Sequence, residues 1–135
     1  MLQWFKKKIA KDKKFLTDHE KPQLTDVEKT ALLEKIKEEE ALMLQQQQSD
    51  KEKALSYEKI GLCYAELDDS DEAIASLEKS LETKLSMGDG YKKLMSLYNV
   101  KRAQAARSKD NDAIDYYMAK MDEMRNIAKK LTLSK

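Results

Sequence analysis

Cys63 is the one thiol in these 135 residues and His19 the one imidazole. Together they could form a nucleophile and base. They lie 44 residues apart, however, and nothing in the sequence positions a third group to orient them. One His and one Cys also fall short of the four ligands of a structural zinc site. Cys63 stands between Leu62 and Tyr64, so it is expected to be a small buried apolar side chain. His19 stands in the polar stretch Thr17-Asp18-His19-Glu20 and is expected to be an exposed linker residue, although an imidazole could titrate near neutrality. The acidic run Asp68-Asp69-Ser70-Asp71-Glu72 lacks the glycine that a calcium loop needs at its sixth position. Acids in that place complement the dipole at a helix start. Gly88-Asp89-Gly90 reads as a turn between helices, not as a loop that cradles phosphate. The expectation is a protein that is not an enzyme, with no catalytic, metal-binding or cofactor-binding residues and no cofactor.

The elements that carry these residues read as helices. Three Gly and one Pro are few breakers for a chain of this length, and 38% of the residues are charged. The length fits one domain, residues 1–135. No apolar run approaches the roughly 18 residues that span a bilayer, and the first twenty residues do not read as a secretory signal. A single cysteine excludes an intrachain disulfide and fits a reducing, cytoplasmic setting. The net charge of +1 conceals blocks. Residues 1–22 carry seven Lys against three acids, residues 23–50 three against seven, and residues 51–87 five against nine. Residues 88–135 carry eleven basic residues against six acids. Basic ends flank an acidic middle, as solvated helix faces or as surfaces that meet something acidic, the chain's own middle included.

Six helices are expected and no strands. Residues 2–16 align Leu2, Phe5, Ile9 and Leu16 on one stripe flanked by Trp4 and Phe15, with Lys6, Lys7, Lys8, Lys11, Lys13 and Lys14 filling the rest. That is a basic amphipathic helix, followed by a connector containing Pro22. Thr25-x-x-Glu28 is a capping box opening a long helix to about Gln48, with Leu32, Leu33, Ile36, Met43 and Leu44 as its apolar side. Ser49-x-x-Glu52 opens the next, to about Leu67. Ser70 is the expected N-cap of a helix ending near Met87, with Gly88 as its stop. Asp89 is expected to cap a helix to about Ser108, and Asp110 a last helix to about Leu131. In that last helix Tyr117, Met121, Met124 and Ala128 form a stripe, extended by Ile114 and Leu131. It reads as core, with self-association as its exposed alternative.

A motif recurs within this pattern. Tyr57-x-x-Ile60-Gly61-x-x-Tyr64, then Ala73-x-x-x-Leu77, is repeated as Tyr91-x-x-Leu94-Met95-x-x-Tyr98, then Ala113-x-x-x-Tyr117. The offset from Tyr57 to Tyr91 is 34 residues, the period of the tetratricopeptide repeat. Residues 54–132 resemble that family, closely in the first copy and degenerately in the second. Small Gly61 and Ala73 would let paired helices approach, with Tyr57, Tyr64 and Leu77 filling the space between hairpins. Tyr57, Ile60, Gly61, Tyr64, Ala73, Leu77, Leu94, Tyr98, Ala113 and Tyr117 are the expected buried set. Leu85 replaces the family's usual proline and Met95 the second glycine. Tyr64 to Ala73 spans nine residues, but Tyr98 to Ala113 spans fifteen. About two extra helical turns are therefore expected, split across the second hairpin. The fold class implied is all-α: a tetratricopeptide-like array of two hairpins over residues 51–135, preceded by the helices within 1–22 and 23–50.

The resemblance implies a groove lined by the first helix of each hairpin. Carried over by position, it would consist of Leu55, Glu58, Leu62, Ala65 and Glu66, then Lys92, Ser96, Asn99 and Val100. Lys92 and Asn99 match only a fragment of the carboxylate clamp of the family's chaperone-binding branch, and Glu58 and Glu66 would oppose a carboxylate. The function implied is non-catalytic binding of a protein or peptide, as an adaptor or regulator. Residues 2–16, with Trp4, Phe5, Lys6, Lys7, Lys8 and Ile9 foremost, have three open destinations. They could dock on the rest of the domain, lie on an anionic membrane surface, or bind a partner protein. The alternative function is a small helical protein peripheral at a membrane that protects or modulates it, as immunity proteins do. Nucleic acid is not an expected partner, since no basic face joins a recognised nucleic-acid-binding fold.

Overall fold

The computed structural model describes residues 23–45 and 47–133. The expected helix over 2–16 and the residues on it, together with His19, lie outside the described residues. Within them are five α-helices and no strand: α1 (Asp26–Gln45), α2 (Asp50–Glu66), α3 (Ser70–Thr83), α4 (Asp89–Arg107) and α5 (Asn111–Leu133). The fold is all-α.

Both capping boxes form. The Glu28 amide donates to Thr25 Oγ1 at 3.1 Å and the Thr25 amide returns a bond to Glu28 Oε1 at 3.0 Å. Ser49 and Glu52 do the same, at 3.2 Å each way. These donors hold both glutamates below the usual carboxylate range. Helix α1 ends at Gln45, short of the expected Gln48, and three further boundaries move. Asp69, not Ser70, caps α3 by accepting from the Glu72 amide at 3.3 Å. Helix α3 ends at Thr83, not near Met87. Gly88 is the N-cap of α4 instead of a C-terminal stop, and Asp89 is that helix's first residue.

The turns α2–α3 and α4–α5 are built alike. Asp68 and Lys109 adopt φ of 61° and 57°. Around the first, the Asp69 amide reaches the Tyr64 carbonyl and the Asp68 amide reaches the Ala65 carbonyl. Around the second, Asp110 and Lys109 bond Ala105 and Ala106. This is the Schellman arrangement, with a left-handed residue closing the helix. The next residue, Asp69 or Asp110, then caps the following helix. The acidic run 68–72 is thereby accounted for by turn and cap. The turns lie 41 residues apart although the tyrosine motif repeats at 34. Between Tyr98 and Ala113 the added length thus enters before the turn, in α4, while α5 is itself longer than α3, 23 residues against 14. Seven residues make nearly two whole turns, so the buried face continues from Tyr98 to Ala105.

Each helix packs on its neighbours in chain order, and α2 also touches α4. The tightest junction is α2–α3, where Ala54, Gly61, Ala65, Ala73 and Ser80 are all buried. The Ser80 hydroxyl donates to the Ala54 carbonyl at 2.7 Å across it. On one side of this seam Leu77, Leu81, Leu94, Tyr98 and Met124 form a core, supported by Ile74, Tyr91, Met95, Tyr117, Met121 and Ile127. On the other, Ile36 of α1 packs on Ile60 and Cys63, with Leu32, Met43, Tyr64 and Leu67 around them. The last-helix stripe is therefore core-facing. Tyr57, Tyr64, Ala113 and Tyr117, expected buried, are only half-buried. The tyrosines keep an edge in water, and α5 fully buries only Met124. Met95, standing where the first hairpin has glycine, is half-buried against this core.

A side chain at Gly61 would meet Leu77 at 2.6 and 2.8 Å and the Ala73 carbonyl at 3.2 Å. Gly61→Leu should therefore destabilise the fold by about 1–3 kcal/mol or more, read from urea unfolding. Lys109→Gly relieves a left-handed lysine and should stabilise by about 0.5–1 kcal/mol in the same assay, net of the glycine's greater chain entropy.

Candidate functional site

Helix α2 offers three sides with different uses. Residues Ala54, Gly61 and Ala65 serve the seam with α3, while Ile60, Cys63 and Leu67 serve α1. Lys59 pairs with Glu39 of α1 at 3.4 Å. Leu55 and Glu66, eleven residues apart and so on one line of the helix, face solvent, with Leu62 half-buried beside them. Leu55 is 47% exposed.

The residues carried over as groove-lining separate accordingly. Leu55 and Glu66 on α2, and Lys92, Ser96, Asn99 and Val100 on α4, are on the surface. Ala65 is not available, because it is buried at the seam. Glu58 is half-buried and folds onto the start of α4. Its Oε2 lies 2.9 Å from where a Gly90 side chain would begin. That places a carboxylate beside a helix N-terminus whose N-cap, Gly88, supplies no side-chain hydrogen bond, and a negative charge there is favourable. Glu58 thus joins α2 to α4 and does not project from a groove. Asn99 accepts from Arg102 Nε at 3.1 Å on the open face of α4. The membrane or partner residues Trp4, Phe5, Lys6, Lys7, Lys8 and Ile9 lie outside the described residues.

The spacing of apolar residues gives no sign of the concavity that the helices form elsewhere on α2. An open cleft of about 330 Å³ lies over α2 between α1 and α3, two helices whose backbones do not come together. Its lining includes Tyr57, Ile60 and Tyr64 from α2 and Met43, Leu44 and Glu40 from α1. Glu72 and Lys79 of α3 complete the rim, with Lys79 Nζ 5.9 Å from the centre of the Tyr57 ring. Burial pushes the Tyr64 hydroxyl up, and nearby Glu40, Glu72 and Asp69 add to the push. Leu44 is 89% exposed at the cleft edge, although the sequence pattern places it on the apolar side of its helix. Spacing alone counts Leu44 with Met43 as core. Only the position of α3 shows that nothing described covers it.

Among the described residues no group of three or more His, Cys, Asp or Glu is arranged to hold a metal ion. Nor is any helix long and apolar enough to cross a membrane. Tyr98, on the opposite side of the molecule, is buried and donates its hydroxyl to Glu78. Burial first, and then Glu78, push its ionisation far upward. The Tyr91 hydroxyl donates to the Met124 carbonyl at 2.7 Å. These bonds fasten α3 and α5 to α4. The chain matches no protein-family model, no curated protein and no solved structure.

Cys63 is buried, and burial pushes its thiol up, against a pull from Lys35 and with added push from Glu66 and Glu39. A raised pKa in the folded state means stability that is complete below the unfolded thiol's pKa of about 8.5 and is lost as pH rises through the folded value. Urea unfolding should show the native chain losing stability relative to Cys63→Ala between about pH 8 and 10. Parallel curves for the two proteins would contradict a buried, resistant thiol.

Proposed function

We propose that this chain is a non-catalytic protein- or peptide-binding module, an adaptor or regulator built on a tetratricopeptide-like pair of hairpins. The observation that carries the reading is the contact between α2 and α4, the first helices of two successive hairpins. Both helices carry open residues: Leu55 and Glu66 on α2, and Lys92, Ser96, Asn99 and Val100 on α4. Two separated apolar side chains, Leu55 and Val100 at 47% and 43% exposure, sit among charged and amide groups of both signs. Such a surface suits an extended or helical peptide with apolar anchors and mixed charge. The partner's side chains would bury those anchors while polar groups set register. With its one thiol buried and unpaired, the module fits a reducing compartment, the cytoplasm.

The test starts from a peptide selected from a random library for binding to the full chain. Leu55→Glu and Val100→Glu should each weaken it by tenfold or more, about 1.4 kcal/mol. Leu133→Glu, at a site 80% exposed on α5, should leave the affinity unchanged. Equal loss from all three variants, or binding to anionic vesicles with none to any peptide, would overturn the reading.

A further inference from the structure

The cleft between α1 and α3 lies on the side of α2 opposite Leu55 and Glu66, so it is not the surface assigned above to a peptide. Its floor is Tyr57, Ile60 and Tyr64, and its α1 edge is Met43 and Leu44. Leu33, 48% exposed, lies eleven residues before Leu44, which puts both on the same line of α1, three turns apart. The acids Glu40 and Glu72 stand on the rim, and the rim's one lysine, Lys79, is already placed over Tyr57. The surface asks for an occupant that is apolar along one side and positively charged along the other.

The chain contains such an element. Residues 2–16 carry Trp4, Phe5 and Ile9 on or beside one stripe and six lysines around it. They join α1 through residues 17–25, a connector that includes Pro22. A helix over 2–16 that doubles back along α1 has a fixed reach. Residue 16 would start near Asp26, and at about 1.5 Å per residue Trp4 would stand about 18 Å further along. That brings Ile9 level with Leu33 and Trp4 and Phe5 near Glu40, at the mouth of the cleft. A connector of this length leaves slack for a further turn of adjustment. We propose that residues 2–16 dock antiparallel to α1 in this cleft, with Trp4 and Phe5 over Tyr64 and Leu44 and lysines facing Glu40 and Glu72. The segment then covers the apolar edge that α1 and α3 leave open. Glu40 and Glu72 on the cleft rim supply the opposite charge that the lysines require.

Trp4 is the only tryptophan, so its fluorescence in the full chain reports the docking directly. In lipid-free buffer at high dilution its emission should be blue-shifted and shielded from acrylamide. Leu44→Glu changes a side chain that is 89% exposed among the described residues. It should shift the emission to the red and at least double the quenching, with helicity by circular dichroism retained. The pair Glu40→Lys and Glu72→Lys should do the same by charge. Val27→Glu, on the side of α1 away from Ile36 and 79% exposed, should leave the spectrum as it was. Four results would each overturn the proposal. Trp4 could be water-exposed in the unaltered chain, or Leu44→Glu could leave it shielded. Its shielding could vanish on dilution, which assigns the cleft to a second copy. Its emission could move only when phosphatidylglycerol vesicles are added, which assigns the segment to a membrane.

Discussion

Gly61 lies so close to Leu77 and to the Ala73 carbonyl that no side chain fits between them. Much of the arrangement follows from that contact. Small residues at Ala54, Gly61, Ala65, Ala73 and Ser80 let α2 and α3 approach as a tight pair, and one side-chain-to-backbone bond, Ser80 to Ala54, crosses the seam. With α3 held there, Leu77 and Leu81 point toward α4 and α5 while Ile60 and Cys63 remain for α1. Two cores form, back to back, with the seam between them. Interiors are packed at near-crystalline density, so a shift at the seam would be felt in both.

The second hairpin shows what happens when the same motif lacks the small residue. Met95 stands in the glycine's place, and α5 fully buries only Met124. Polar anchors at the edges of the core tie α4 to its neighbours: Tyr91 to the Met124 carbonyl, Tyr98 to Glu78, and Lys101 to Asp71 at 2.8 Å. The first of these joins α4 to α5 and the other two join α4 to α3. Such bonds fix orientation where close packing does not, and a buried hydroxyl bonded to a carboxylate is costly to leave unpartnered. The molecule therefore has one hairpin closed through small residues and one whose hydrophobic core is edged by tyrosine hydrogen bonds. Its open surfaces lie on either side of α2, the helix shared between them.

Charge follows the same division. Acids gather on α1 and α3, beside the cleft over α2, and at the helix starts where backbone dipoles favour them. Glu58 serves at the start of α4, a helix with no side-chain cap of its own. Lys92 and Arg102 leave the open face of α4 basic beside the acidic middle. The alternation of sign in the sequence thus becomes an alternation of surfaces around one helix.

Helix content, the two capping boxes, the Asp110 cap and the small-residue seam were all legible in the sequence, because each depends on residues near in the chain or on a strict spacing. The burial of Cys63 was legible for the same reason, since an apolar helical setting dictates it. Four features were decided only by tertiary structure. Asp68 takes the left-handed turn position that glycine usually holds, so no local signal separates it from its acidic neighbours. Glu58 and Ala65 occupy groove positions by count, but Glu58 answers to α4 and Ala65 to α3. The residues added between Tyr98 and the turn fall within α4, because seven residues keep its buried face in register. Leu44 has the same spacing as core residues, and only the gap between α1 and α3 leaves it open. Sequence period tells which residues share a face of a helix. What that face meets is set by the helices packed around it.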